Sequence, residues 1–89
     1  MTLMVVRHTV RDYGAWRQVY DEVKPMQTAG GVLEESVYQE PGNPNDVLVL
    51  HRFANREKAE AFAGSADLRE AMQRAGVQGQ PRIEIFEDA

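Results

Sequence analysis

The sequence predicts an α+β fold in which four strands and two helical units follow one another in the order β-α-β-β-α-β. Apolar and β-branched runs stand at both ends and in the middle of the chain. Amphipathic stretches with helical spacing separate these runs, and glycine, proline and asparagine mark the turns. At 89 residues the chain is predicted to form a single domain.

The first strand and the first helix occupy the N-terminal third. Residues 3–10, LMVVRHTV, carry apolar residues on both faces and are predicted as a buried strand. Asp12 is a candidate N-cap, and after it the apolar residues fall in steps of three and four, which predicts a helix. This stripe consists of Tyr13, Trp16, Val19, Tyr20, Val23 and Met26. Pro25 has no amide hydrogen to bond the carbonyl of Asp21, so we expect a kink or a restart there.

The remaining elements follow from the same signals. Residues 32–39 are predicted as strand two, with the partial alternation of an edge strand. The segment EPGNPND is predicted as a hairpin loop, and residues 46–53, DVLVLHRF, as strand three. Asn55 and Ser65 are candidate caps of two short helical segments that Gly64 separates. A predicted loop, GVQGQP, leads to strand four, RIEIFE.

The order of the elements predicts the topology. Two right-handed crossovers in one antiparallel sheet give the strand order 4-1-3-2 and place both helical units on one face, which is a ferredoxin-like arrangement. Pairing of strands one and three sets Leu3 opposite Arg52 and His8 opposite Val47. The second face of both central strands is also apolar, which is more exposed apolar surface than a monomer usually carries. We therefore expect a homodimer that packs sheet to sheet.

Composition excludes several classes of function. The net charge of −4 and the lack of a basic cluster argue against nucleic acid as a partner. Because the chain has no cysteine, thiol nucleophiles, iron–sulfur clusters and thiolate zinc sites are excluded. The apolar runs are too short for a membrane span or a signal peptide, so we expect no membrane partner and a cytoplasmic protein.

Three stretches of the sequence resemble a known group of proteins. HTVRDYGAWRQVYDE, GNPNDVLVL and FAGSADLREAMQRAGVQGQPRIEIFED are similar to small antibiotic-biosynthesis-monooxygenase-like proteins of the dimeric α/β-barrel superfamily. The resemblance covers nearly the whole chain. It implies a dimer whose two sheets form a barrel-like core, with a pocket in each protomer between the helices and the sheet. In monooxygenase members that pocket takes an aromatic polyketide, which dioxygen oxidises without metal or flavin, and a Trp, a Tyr and an Asn are implicated.

Candidate ligand-binding residues come from both helical units. Tyr13, Trp16 and Tyr20 form an aromatic stripe that is either core alone or one wall of a ligand site. Phe62, Leu68 and Met72 are expected on the opposite wall. The predicted strand three carries neither Trp nor Asn, which departs from the pattern of the monooxygenase members.

The two histidines lead to different expectations. His8 falls near the C-terminal end of strand one and is the candidate catalytic base, with a hydrogen bond to Asp12 to orient its ring. Alternatively, His8 only satisfies backbone carbonyls at the end of a strand. His51 is expected to be structural, either partly exposed or at the dimer interface. Four rows of sheet, about 13 Å, would separate the two rings, too far to share a metal whose ligands lie about 2 Å away.

Two hypotheses of function remain, and neither involves a cofactor or a metal. The helical unit after His51 carries no residue for the axial position that haem-degrading relatives fill with histidine. The first hypothesis is a pocket for a small apolar or aromatic molecule, with cofactor-independent oxygenation or proton transfer as its chemistry. The second is a non-catalytic dimeric protein whose interior is filled by its own side chains. A cavity of roughly 300 Å³ would favour the first, and voids smaller than a water molecule the second.

Overall fold

The structure is a computed structural model that describes all residues from 1 to 89. Its elements are β1 Thr2–Val10, α1 Tyr13–Glu22, α2 Lys24–Ala29, β2 Glu34–Glu40, β3 Asn43–Phe53, α3 Arg56–Ala63, α4 Ala66–Arg74 and β4 Val77–Glu87. The four strands form one antiparallel sheet in the order β2-β3-β1-β4, and the helices cover one of its faces. The predicted fold class and strand order are therefore confirmed.

The helices begin and end where local chemistry predicts. The side chains of Asp12, Asn55 and Ser65 each accept a hydrogen bond from the backbone amide three residues further on, at 2.9, 2.9 and 3.1 Å. Pro25 lies in the first turn of α2, so the predicted interruption separates α1 from α2. No helix has both the length and the hydropathy needed to cross a lipid bilayer.

Two strands are longer than the sequence analysis predicts. β3 begins at Asn43, so the predicted hairpin loop shrinks to a turn at Pro41 and Gly42. β4 begins at Val77, so the predicted loop GVQGQP is strand after its first glycine. β4 is an edge strand and tolerates Pro81, which lacks an amide hydrogen for the ladder. Gly79 has a φ of 68°, and the irregular register there fits a bulge that keeps the strand paired with β1.

Alternation along the central strands separates a buried face from an open one. The residues of β1 and β3 that face the helices are buried; they are Thr2, Met4, Val6, His8, Val10, Val47, Val49, His51 and Phe53. The opposite face carries Leu3, Val5, Leu48, Leu50, Tyr38 and Phe86, none of which is buried within one chain. The predicted pairs Leu3 with Arg52 and His8 with Val47 are confirmed.

Candidate functional site

A cavity of about 50 Å³ lies between the helices and the sheet. It is lined by 15 residues, 12 of them hydrophobic, and the polar ones are His8, Gln27 and His51. A cavity of this size accommodates a few water molecules, at about 10–15 Å³ each, but not a typical substrate, which needs roughly 300 Å³ or more. The cavity thus lies between the two volumes that the sequence analysis set as alternatives.

Five of the seven predicted site residues line this cavity. They are His8, Trp16, Tyr20, Leu68 and Met72. The other two, Tyr13 and Phe62, lie outside its lining. The Tyr13 ring lies 5.8 Å from the Trp16 ring, and the buried Phe62 ring lies 5.8 Å from His51. Both therefore support residues of the cavity wall.

His8 is buried in the cavity wall without a hydrogen bond. The residue is 6% exposed, and neither ring nitrogen has a hydrogen-bond partner among the other groups of the protein. The expected bond to Asp12 is wrong, because that carboxylate caps α1 through the Ala15 amide. The alternative, a histidine that satisfies backbone carbonyls, is wrong as well. Burial lowers the pKa of His8 to about 4, against a weaker opposite effect of Asp46, so the imidazole is neutral at pH 7.

His51 is held in a chain of polar side chains. Its Nε2 atom lies 2.9 Å from the Tyr20 hydroxyl, which donates a hydrogen bond of 2.7 Å to Oε1 of Glu35. The Lys24 ammonium lies 3.4 Å from Oε2 of the same carboxylate. The expectation that His51 is partly exposed or at the dimer interface is wrong. The residue is 3% exposed and faces the helices, because it lies two residues after Val49 on β3 and therefore shares its face of the sheet.

The surroundings of Tyr20, Glu35 and His51 determine the protonation state of each side chain. Burial lowers the pKa of His51 to about 4, so this imidazole is also neutral at pH 7. The hydrogen bond from Tyr20 lowers the pKa of Glu35, and Lys24 adds to this effect. Burial and the bond to Glu35 raise the pKa of Tyr20. At neutral pH the Glu35 side chain is therefore a carboxylate, and the phenol of Tyr20 and the imidazole of His51 are neutral.

The aromatic stripe of α1 connects the two histidines. The Trp16 ring meets His8 edge to face at a centroid distance of 5.6 Å and stacks on Tyr20 at 4.8 Å. Tyr20 in turn stacks on His51 at a centroid distance of 6.1 Å, with the ring planes inclined by 25°. The stripe is therefore both core and cavity wall, and it joins two polar ends through an apolar middle.

Glu35, Gln27 and the hydrogen bonding of His51 were not predicted from the sequence. Glu35 lies directly opposite His51 in the β2–β3 hairpin, so a correct hairpin register would have brought the two together. No register was predicted for this hairpin from the sequence. The longer β3 also contains Asn45, contrary to the expectation that strand three has no asparagine. Its side chain accepts a hydrogen bond of 2.9 Å from the Tyr13 amide and lies outside the cavity lining.

Fold and cavity together define a ferredoxin-like α+β protein with a small, mostly apolar site between its helices and its sheet. The family model described as "Antibiotic biosynthesis monooxygenase" matches residues 13–74, well over half of the chain. The chain therefore belongs to the antibiotic biosynthesis monooxygenase family. A search of curated proteins finds no significant match.

Solved structures with the same fold share little sequence with this chain. A protein of Bordetella bronchiseptica that is named after the antibiotic biosynthesis monooxygenases superposes with a TM-score of 0.83 at 11% identity, covering 99% of this chain and 96% of the other. SnoaB, a cofactor-independent oxygenase from Streptomyces nogalater, gives 0.80 at 11% identity over 99% and 92%. A conserved protein from Methanosarcina mazei Go1 gives 0.77 at 16% identity over 100% and 94%. At these identities the likeness demonstrates the fold alone.

Proposed function

We propose that the protein binds a small, mostly apolar molecule, such as an aromatic compound, in the cavity between its helices and its sheet. The observation that carries this proposal is the state of His8. Both of its ring nitrogens are buried without a partner, which costs about 1–3 kcal/mol for an unsatisfied polar group. A ligand that bonds to His8 would recover that free energy, and the apolar lining would accept its ring system.

Binding of an aromatic molecule requires the cavity to widen, and two side chains provide a route. Leu68 and Met72 line the cavity and also line a surface groove of about 390 Å³ between α4 and β4. Both side chains are only partly buried, and methionine adapts its shape readily. Rotation of these two side chains joins the cavity to the groove and gives a site of substrate size.

The chemistry proposed for this site is proton transfer or cofactor-independent oxygenation, with His8 as the base. Oxygenation without a cofactor takes its electrons from the substrate, so the substrate must first become an electron-rich anion. Because burial lowers the pKa of His8 to about 4, its neutral imidazole is a weak base, and it can take the proton only of a strongly acidic enol. The description of SnoaB as a cofactor-independent oxygenase supports this class of reaction within the fold.

To test the proposal, a larger side chain fills the cavity while the polar groups of its wall stay unchanged. Ala71 lines the cavity and is buried, whereas Ala61 is exposed on α3. Ala71→Leu adds three carbon atoms to a cavity of about 50 Å³, and Ala61→Leu makes the same change outside it. Trp16, the only tryptophan, reports binding of 1,4-naphthoquinone through quenching of its fluorescence. We expect saturable quenching in the wild type and in Ala61→Leu, and its loss in Ala71→Leu.

The second candidate function is a non-catalytic protein without a substrate pocket, and the small volume of the cavity favours it. Under that hypothesis no saturable quenching occurs, or Ala71→Leu quenches as the wild type does. Either result would remove the binding proposal.

We also propose that the open face of the sheet forms a homodimer interface. Tyr38 and Phe86 are 52% and 53% exposed there, beside apolar residues of both central strands. Leu50→Lys places a charge in the middle of that face, and Ala61→Lys is the control on the helical side. Sedimentation velocity should show a dimer for the wild type and Ala61→Lys, and a monomer for Leu50→Lys. A wild-type monomer at tens of micromolar would contradict the proposal.

A further inference from the structure

We propose that Glu35, acting through Tyr20, fixes the tautomer of His51 and thereby selects ligands that donate a hydrogen bond at this end of the cavity. The inference rests on the proposed function for its ligand, but its first step concerns the protein alone. It makes Glu35 a positioning residue and His51 a determinant of specificity.

The hydrogen bonds among Glu35, Tyr20 and His51 determine which nitrogen of the His51 ring carries the proton. The Glu35 carboxylate only accepts hydrogen bonds, so the single hydroxyl proton of Tyr20 is committed to Oε1 of Glu35 at 2.7 Å. The 2.9 Å contact between Tyr20 and Nε2 of His51 then needs its proton from the imidazole. A neutral imidazole carries one N–H, so the proton is on Nε2 and Nδ1 has a free lone pair.

The lone pair determines what a ligand must offer. Nδ1 of His51 is buried and has no partner within the protein, and His51 is part of the cavity wall. A hydroxyl, phenol or enol can donate to this nitrogen, whereas a carbonyl in the same place would face a second acceptor. His8 lies at the other end of the cavity and has one donor and one acceptor free, so it discriminates less.

A single substitution is expected to reverse the hydrogen bonds. In Glu35→Gln, the amide oxygen faces the Lys24 ammonium, because the amide NH₂ in that position would oppose another donor. The NH₂ group then donates to Tyr20, which turns its own proton toward Nε2 of His51. His51 must therefore carry its proton on Nδ1. Glu34→Gln is the matched control, because Glu34 is the neighbouring residue, points to the open face and has a side chain that is 74% exposed.

The first experiment measures the tautomer by ¹⁵N NMR of histidine-labelled protein at pH 7 without ligand. We expect Nε2–H at His51 in the wild type and in Glu34→Gln, and a shift toward Nδ1–H in Glu35→Gln. In a Tyr20→Phe background the Glu35→Gln substitution should leave the His51 spectrum unchanged, because the connection is gone. An Nδ1–H tautomer in the wild type, or identical spectra for Glu35→Gln and Glu34→Gln, would overturn the inference.

The second experiment measures ligand preference with phenol and acetophenone as probes. Phenol donates a hydrogen bond and acetophenone only accepts one. In Glu35→Gln we expect the dissociation constant of phenol to rise roughly tenfold relative to that of acetophenone, because phenol loses a hydrogen bond to Nδ1 of His51 and acetophenone gains one. An unchanged ratio with both probes bound would refute this inference and leave the binding function intact. If neither probe binds the wild type, the binding function fails for both classes, and the selectivity inference falls with it.

Discussion

His8 and His51 line the same cavity from neighbouring strands, but only His51 is held by other side chains. His51 is hydrogen-bonded to Tyr20, Tyr20 to Glu35, and Glu35 to Lys24 at the surface. His8 contacts Trp16 edge to face and has no hydrogen bond at either nitrogen. The comparison separates two ways to bury a histidine. One end of the cavity has a fixed polarity, and the other keeps its hydrogen-bonding capacity free at a cost in stability.

The largest expected effect is a loss of stability in mild acid. Burial lowers the pKa of both histidines to about 4, below the value near 6.5 of an unfolded chain. As pH falls below 6.5, the unfolded chain binds protons first, so the free energy of unfolding decreases until pH 4, where the folded protein binds them too. The loss amounts to about 3 kcal/mol for each histidine, at about 1.4 kcal/mol per pH unit.

Urea unfolding at fixed protein concentration, from pH 7 to pH 4, measures this loss. His8→Leu and His51→Leu should each remove about half of the decrease. The carboxylates of Glu35 and Asp46, whose pKa values are lowered by Tyr20 and Arg7, contribute only at the acid end of this range. A wild-type stability that stays constant between pH 6.5 and 5 would show that the histidines are solvated in the folded state.

His8→Leu is expected to stabilise the protein at pH 7 by about 1–3 kcal/mol, because it removes an unsatisfied polar group from an apolar wall. His51→Leu removes one unpaired nitrogen but also a hydrogen bond to Tyr20, so its effect should be close to zero. Chemical denaturation of the two variants tests the contrast. A large destabilisation by His8→Leu would show that His8 makes a stabilising contact, and the comparison between the two ends would then fail.

The fold was predictable because its signals are local, whereas the polar chain at His51 depends on register. Turn residues, caps and alternation follow from a few neighbouring residues, and they determine the order of elements and the faces of the strands. Tyr20, Glu35 and His51 lie 15 to 31 residues apart and meet only when the hairpin has the right pairing. The register of that hairpin was not predicted from the sequence. His8 was found because it lies near the end of a strand that leads into the aromatic stripe.

Tyr20→Phe should destabilise the protein by about 1–3 kcal/mol, because it leaves the buried Nε2–H of His51 without an acceptor. Thr28→Val is the control, since it removes an exposed hydroxyl on the helical side of the protein, and it should change stability by less than about 0.5 kcal/mol. Thermal unfolding of both variants at pH 7 gives the comparison. Equal effects would mean that the Tyr20 hydroxyl contributes no more than an exposed one.

The smallest expected effect is at the surface, where Lys24 pairs with Glu35. Lys24 and Glu35 have side chains that are 43% and 30% exposed, and their atoms lie 3.4 Å apart. Such a pair contributes less than about 1 kcal/mol and weakens with salt. Lys24→Met should therefore lower stability slightly at low ionic strength and raise the pKa of Glu35 toward its ordinary value, measured by ¹³C NMR titration of the carboxyl group. The His51 tautomer should not change, because the Tyr20 proton still goes to a carboxylate at pH 7. If the His51 tautomer changed in Lys24→Met, the surface charge of Lys24 rather than Glu35 would determine which nitrogen is protonated. Salt would then alter ligand preference at His51 and leave His8 unaffected.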